Sequence, residues 1–241
     1  MRIKSKGNKV FGIIGLPRTG TTLLNNIFNS YENCISVSEP HWKNILLNGK
    51  PDRNKLKSIP VDLSQNSKVI PNLQEYVEET TDIMLGGVKE TFRSHQRNSV
   101  DFVLKSERVN FIVGIIRKPQ DAFDSWIRSG WGGKYTDVRY FTQTYKDFYN
   151  TLNKSRKKIF WIKYEDLCKE PSGYLDKEFG DYLSFDDLER IEKTEFRIGD
   201  MKANAGGKVF VNEKKSTSVP ENQIEFIKEE LHQIMEEFGY L

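Results

Sequence analysis

The stretch GLPRTGTT at 15–22 has the residue types and spacing to hold an oxyanion. Gly15 and Gly20 stand five apart with Thr21 and Thr22 following, which overlays the GxxxxGK[ST] frame of phosphate-binding loops. Glycine lets the backbone turn close to an anion, successive N–H groups point inward, and a following helix aims the positive end of its dipole at the charge. The lysine of that frame is Thr21 here, so the side chain that bridges the terminal phosphates of ATP or GTP is missing. Arg18 inside the loop supplies the cation instead. Magnesium-nucleotide chemistry also wants an acidic residue at the end of a neighbouring apolar strand. The obvious run, VNFIVGII at 109–116, ends in Arg117. A second anion site thus stands where a metal site would be, and no metal is expected. Three histidines without CxxC or HExxH spacing offer no ligand set.

These residues need elements to carry them. VFGII at 10–14 reads as the first strand, and Thr21 to Ser30 as a helix with Leu23, Leu24, Ile27 and Phe28 on its apolar face. CISVS at 34–38 is the next strand, and residues 43–71 form loops over one end of the sheet. The pattern from Asn72 to about Phe92 predicts a helix, and FVLK at 102–105 a short strand. The almost unbroken branched run at 109–117 is expected of a strand buried on both faces. Pro119 opens a helix continued by Ala122, Phe123 and Trp126; further elements are a helix over 137–154, a strand over 158–164, helix around 171–193, a loop around 197–219 and helix over 220–238. Strands alternating with helices predict an α/β fold, a single domain over 1–241 with a central parallel sheet flanked by helices.

PRTGTTLL at 17–24, IIRKPQDAFDS at 115–125 and IKYEDL at 162–167 together resemble, in order, segments of the sulfotransferases that use 3′-phosphoadenosine 5′-phosphosulfate, PAPS. The resemblance implies the P-loop NTPase-like sulfotransferase fold, PAPS as cosubstrate and adenosine 3′,5′-bisphosphate, PAP, as product. It assigns Arg18 and the amides of Thr19, Gly20, Thr21 and Thr22 to the 5′ end. Arg117 and Ser125 would hold the 3′-phosphate, with Arg128 one turn later as a weaker addition. Tyr164 would lie near the adenosine, and Gly207 and Lys208 of GGK at 206–208 would close over the nucleotide.

Sulfuryl transfer needs a base for the acceptor proton and stabilisation of charge on the leaving phosphate. Glu39 follows the strand at 34–38, beside the loop at the end where open parallel sheets build their sites. It is the expected general base, with His41 as its rival. Lys105 corresponds to a family lysine at the bridging oxygen, although a helix usually separates that lysine from the 3′-phosphate strand and only Ser106 to Val109 intervene here.

At 241 residues and 28.1 kDa, one domain can bury a sizeable core. Charged residues at 29% and a mean hydropathy of −0.62 predict a soluble chain, and the apolar stretch after the basic start ends too soon to span a membrane. A net charge of +3 gives little support to nucleic acid as a partner. Cys34 and Cys168 read as buried free thiols of a cytoplasmic protein. The partner is an acceptor bearing a hydroxyl or amine, and sugar, phenol, peptide tyrosine and lipid alcohol all fit. Two other readings compete: a nucleotide kinase or NTPase with a degenerate loop, and a non-enzymatic anion- or RNA-binding module suggested by KSRKK at 154–158.

Overall fold

The computed structural model describes residues 9–28, 31, 34–38, 85–95, 97–169, 175, 179, 197–198, 201–202 and 217–241. The expectations for 43–71, for 72–84 and for most of 171–216 fall outside them.

Five parallel strands form the central sheet in the order β2-β3-β1-β4-β5. β1 is Lys9–Gly15, β2 Cys34–Ser38, β3 Leu85–Thr91, β4 Phe111–Ile116 and β5 Lys158–Lys163. Side chains of a strand alternate between faces, so an apolar strand in the middle of a sheet feeds two cores. In β1, Phe11 and Ile13 enter one cluster with α1 (Thr21–Phe28), while Val10 and Ile14 enter the other. The second cluster is covered by α2 (Asn98–Lys105), α3 (Pro119–Arg128), α4 (Val138–Asn153) and the C-terminal α6 (Glu221–Glu230) and α7 (His232–Glu237). The short α5 (Tyr164–Lys169) contributes Leu167 and Cys168 to the first. Cys34 and Cys168 are both buried free thiols. A separate pair of two-residue strands, β6 (Arg197–Ile198) and β7 (Met201–Lys202), is antiparallel.

Two predicted elements exchange types. Residues 85–91, expected within a helix, are β3; residues 102–105, expected as a strand, end the helix α2. One cause accounts for both. Lys89 and Glu90 are buried in β3, with 2% and 4% of their surface exposed, and charges inside a strand imitate the polar face of a helix. Gly87 further hides the strand: a Cβ there would lie 2.4 Å from the Phe11 ring, so the position is kept small to let Phe11 cross over it. Once β3 is a strand parallel to β4, the link between them has to be a crossover, and α2 provides it by burying Val100 and Val103.

The chain leaves β1 towards β2 on one side and reaches β4 on the other. Diverging connections leave a crevice at the carboxyl ends of β1 and β4, the switch point where parallel sheets accept ligands.

Candidate anion-binding site

The loop after β1 is shaped by its own polar groups. Thr19 donates to the Leu16 carbonyl through its N–H at 3.3 Å and its hydroxyl at 2.8 Å, closing a turn. Arg18 takes the left-handed conformation at φ 66°, which a residue with a Cβ rarely adopts, and Gly20 follows at φ 94°. A Cβ on Gly20 would come within 2.4 Å of the Tyr164 ring, so only glycine lets the loop lie against that aromatic. α1 starts at Thr21, and the Leu24 N–H closes its first turn onto the Gly20 carbonyl at 2.9 Å.

The end of β4 supplies the facing wall. Arg117 donates from Nη1 to the Arg18 carbonyl at 3.0 Å, and its guanidinium stands 4.5 Å from the centre of the Tyr164 ring. Its own carbonyl accepts the Tyr145 hydroxyl at 2.6 Å. The Arg117 Nε is buried and has no hydrogen-bond partner among the described residues. Pro119 occupies the first turn of α3, where its missing N–H costs nothing. That helix runs beside the loop: Ser125 Oγ accepts from Arg18 Nε at 3.1 Å, and Trp126 Nε1 donates to the Pro17 carbonyl at 2.6 Å. Glu165 braces the far side by accepting the Lys118 N–H at 2.9 Å and the Tyr240 hydroxyl at 2.8 Å.

Arg18, Arg117, Ser125 and Tyr164 thus converge on one crevice from three segments far apart in sequence. Arg18 and Ser125, expected at opposite ends of a nucleotide, touch each other, so the two anion subsites share a wall. Burial first, and Cys168 next, push the Tyr164 hydroxyl up to about 12 against the opposing pull of Arg117; burial also pushes the Cys168 thiol up to about 11. Both groups are neutral at ordinary pH, so the positive charge of the arginines is not offset by an adjacent phenolate or thiolate.

Other expected residues are placed differently. Arg128 pairs with Asp124 Oδ2 at 2.5 Å, and the buried Asp124 also accepts the N–H and hydroxyl of Ser218 at 2.9 and 2.6 Å. Arg128 therefore pairs within α3, and it is Asp124 that joins the helix to the segment before α6. Lys105 is exposed at the end of α2, which returns the chain to the amino ends of the strands, opposite the crevice. The neighbouring Ser106 and Val109 carbonyls accept Lys157 Nζ there, at 2.6 and 2.5 Å. Glu39, His41, Gly207 and Lys208 lie outside the described residues. Ser38, which immediately precedes Glu39, is in register with Lys89 of β3.

Lys89 is the residue that reading the sequence passed over. Alternation from Leu85 and Gly87 puts it on the α1 face, and it sits two residues from the carboxyl end of β3, in register with Ile13 of β1. The sequence did hold a signal: a lysine, then a helix, then the strand ending in Arg117 is the order the resemblance implies, and Lys89 satisfies it whereas Lys105 does not.

Among the described residues, no group of three or more His, Cys, Asp or Glu could hold a metal ion, and no helix is long and apolar enough to cross a membrane. No family model and no curated protein matches the chain. Solved structures do. The sulfotransferase domain from the curacin biosynthetic pathway aligns with a TM-score of 0.56 at 15% identity, over 95% of this chain and 99% of that one. A mouse sulfotransferase, SULT7A1, complexed with PAP, aligns at 0.52 and 11% identity over 95% of this chain and 84% of that one. The sulfotransferase domain from the Synechococcus PCC 7002 olefin synthase aligns at 0.50 and 15%, over 95% and 96%. The chain has the sulfotransferase fold.

Proposed function

We propose that the chain is a PAPS-dependent sulfotransferase that moves a sulfuryl group to a hydroxyl or amine of its acceptor and releases PAP. The observation that carries this reading is the meeting of Arg18, Arg117 and Ser125 around the β1/β4 crevice, with Thr21 in the lysine position of the loop and a cation at the strand end. Two anionic groups held close together suit such a wall better than one triphosphate chain with its metal. The buried Arg117 Nε, a donor without a protein partner among the described residues, fits a phosphate oxygen.

In this reading Arg18 and the amides of Gly20, Thr21 and Thr22 bind the 5′ end, and the Thr19 amide joins them by exchanging its long 3.3 Å bond to the Leu16 carbonyl for the anion. Arg117 and Ser125 bind the 3′-phosphate, and the Tyr164 ring, fixed between Gly20 and Arg117, lies beside the adenosine. Arg128 supports α3 through Asp124 instead of reaching the anion itself. Gly207 and Lys208 are proposed to complete the nucleotide site. When bound, PAPS supplies an activated sulfuryl group, which bears less charge than a phosphoryl group.

The chain's own residues then have two tasks. The Glu39 carboxylate accepts the acceptor's proton as its oxygen or nitrogen attacks. Lys89, in place of Lys105, donates from Nζ to the oxygen that becomes part of the leaving phosphate, since charge placed beforehand where negative charge develops costs no reorganisation. Arg18, Arg117 and Lys89 provide positive charge of the kind a metal supplies elsewhere. Two cysteines buried as free thiols fit a cytoplasmic setting.

The test is turnover of radiolabelled PAPS over pooled acceptors. Glu39→Gln should lose turnover and still be stabilised by PAP. Full turnover by that variant would pass the base role to His41; no transfer to any acceptor by the unaltered chain, with magnesium-dependent phosphate release from ATP, would replace the reading by an NTPase.

A further inference from the structure

Beside the loop after β1 lies an aromatic surface outside the crevice residues described above. Trp131 is 44% exposed, and of the large hydrophobic side chains only it and the C-terminal Leu241 stand out in this way among the described residues. Its ring packs on Tyr135 at 5.1 Å, Tyr135 packs on Trp126 at 5.4 Å, and Trp126 donates to the Pro17 carbonyl of the loop. Two ring contacts therefore connect the exposed indole to the anion site. Tyr140 continues the surface, 6.2 Å from Tyr135, and its hydroxyl meets His95 Nδ1 at 3.0 Å. His95 lies four residues beyond the end of β3, and the Phe92 N–H bonds the Gly15 carbonyl at 2.9 Å, so this stretch also leaves from the loop's side of the sheet.

The surface is cationic. Lys134 Nζ stands 5.6 Å over Tyr135 and 5.3 Å over Tyr140, with no carboxylate partner among the described residues. Arg93 has a buried Nε with no partner among them. Slight desolvation, then Lys134, then Arg93 lower the pKa of His95, and Arg93 lies two residues before it in the chain. The nearby carboxylates are committed to structure: Asp137 caps α4 through the Arg139 N–H, and Asp147 accepts Ser94 and Gln143.

The shape selects the ligand. Gly130, Gly132 and Gly133 flank Trp131 at φ 71°, 62° and 55°, and a Cβ on any of them would meet nothing within 4 Å. Among the described residues the indole packs on Tyr135 and is otherwise open, with 44% of its surface exposed. An aryl ring gains most from a slot that covers both its faces. A sugar ring suits an open platform, laying its C–H face on the indole while its hydroxyls stay in water.

We propose that Trp131, Tyr135 and Tyr140, with Lys134 and Arg93, form the acceptor platform and that it takes an acidic saccharide, a sugar chain bearing carboxylate or sulfate groups. The proposal rests on the sulfotransferase reading above for calling the ligand an acceptor; binding itself does not depend on it.

Calorimetric titration of the full chain tests it, with a hexasaccharide of alternating glucuronate and N-acetylglucosamine, a neutral N-acetylglucosamine hexamer, and an acidic tyrosine peptide. The acidic saccharide should bind about tenfold or more tighter than either alternative, and Trp131→Ala and Lys134→Gln should each weaken it by about tenfold, as loss of an anchoring aromatic or of a charge contact does. Trp131→Phe should recover most of the affinity. PAP should raise the melting temperature equally in all variants, showing that the fold is intact. No saccharide binding, equal binding of the neutral hexamer, tighter binding of the peptide, or indifference to Trp131→Ala would overturn the proposal. Saccharide binding without any PAP stabilisation would keep the platform and remove the sulfotransferase reading.

Discussion

Two lysines on neighbouring elements mark the two edges of the sheet. Lys89, at the carboxyl edge, is almost wholly buried between strands that lead into the phosphate loop and towards Glu39. Lys105, sixteen residues later, is exposed where α2 delivers the chain to the opposite edge. Around Lys105, carbonyls at the start of β4 are satisfied by another lysine, Lys157, in a purely structural clasp. At the carboxyl edge the backbone is left-handed at Arg18, Gly20 leaves room for the Tyr164 ring where a Cβ would clash, and the buried Arg117 Nε has no protein acceptor among the described residues. Burying a charge is costly unless something repays it. Lys89 meets that condition inside the sheet and Lys105 does not have to, which is the difference that the variants below probe.

The comparison is sharpened most by Lys89→Met, which should lower kcat roughly 10²- to 10³-fold, the usual loss when a preset donor to developing charge is removed. PAP binding should survive in that variant, and an unchanged kcat would move the bridging-oxygen role elsewhere. Next, Arg117→Ala should weaken PAP binding by about 10- to 100-fold, because a charge-assisted hydrogen bond is worth about 1.5–3 kcal/mol; calorimetry reads it.

A smaller effect is expected of Tyr164→Phe, and it is read at alkaline pH. Burial pushes the Tyr164 hydroxyl up to about 12 in the folded chain, above the ordinary tyrosine value of about 10. The folded protein keeps its proton when the unfolded chain would lose it. The stability this contributes is complete below about pH 10 and is lost as pH rises through about 12. Removing the hydroxyl should flatten that part of the melting-temperature curve. Smallest of all, Lys105→Ala should change kcat and PAP affinity by less than about twofold, as substitutions of exposed side chains usually do. A large loss would erase the distinction between the edges.

Much of this was legible in the sequence wherever the pattern is local. The glycine spacing at 15 and 20, the uniform apolar run of β4, Pro119 at the start of α3 and the periodicity of α4 each announce an element from its own residues. β3 and α2 were not legible, because what makes 85–91 a strand is pairing with β1 and β2 on either side, and its buried charges contradict the simple apolar rule. Contacts between distant segments were equally hidden. Nothing local says that Arg18 reaches Ser125 across 107 positions, or that Arg128 turns back to Asp124.

The most direct test of a metal-independent PAPS site is the melting temperature of the full chain with PAP in the presence of a chelator. A ligand at about 100 times its dissociation constant adds about 2.7 kcal/mol of stability, so PAP should raise the midpoint by several degrees without magnesium, and Arg117→Ala should remove about half of the rise or more. No shift with PAP, together with stabilisation by ATP and magnesium, would contradict it.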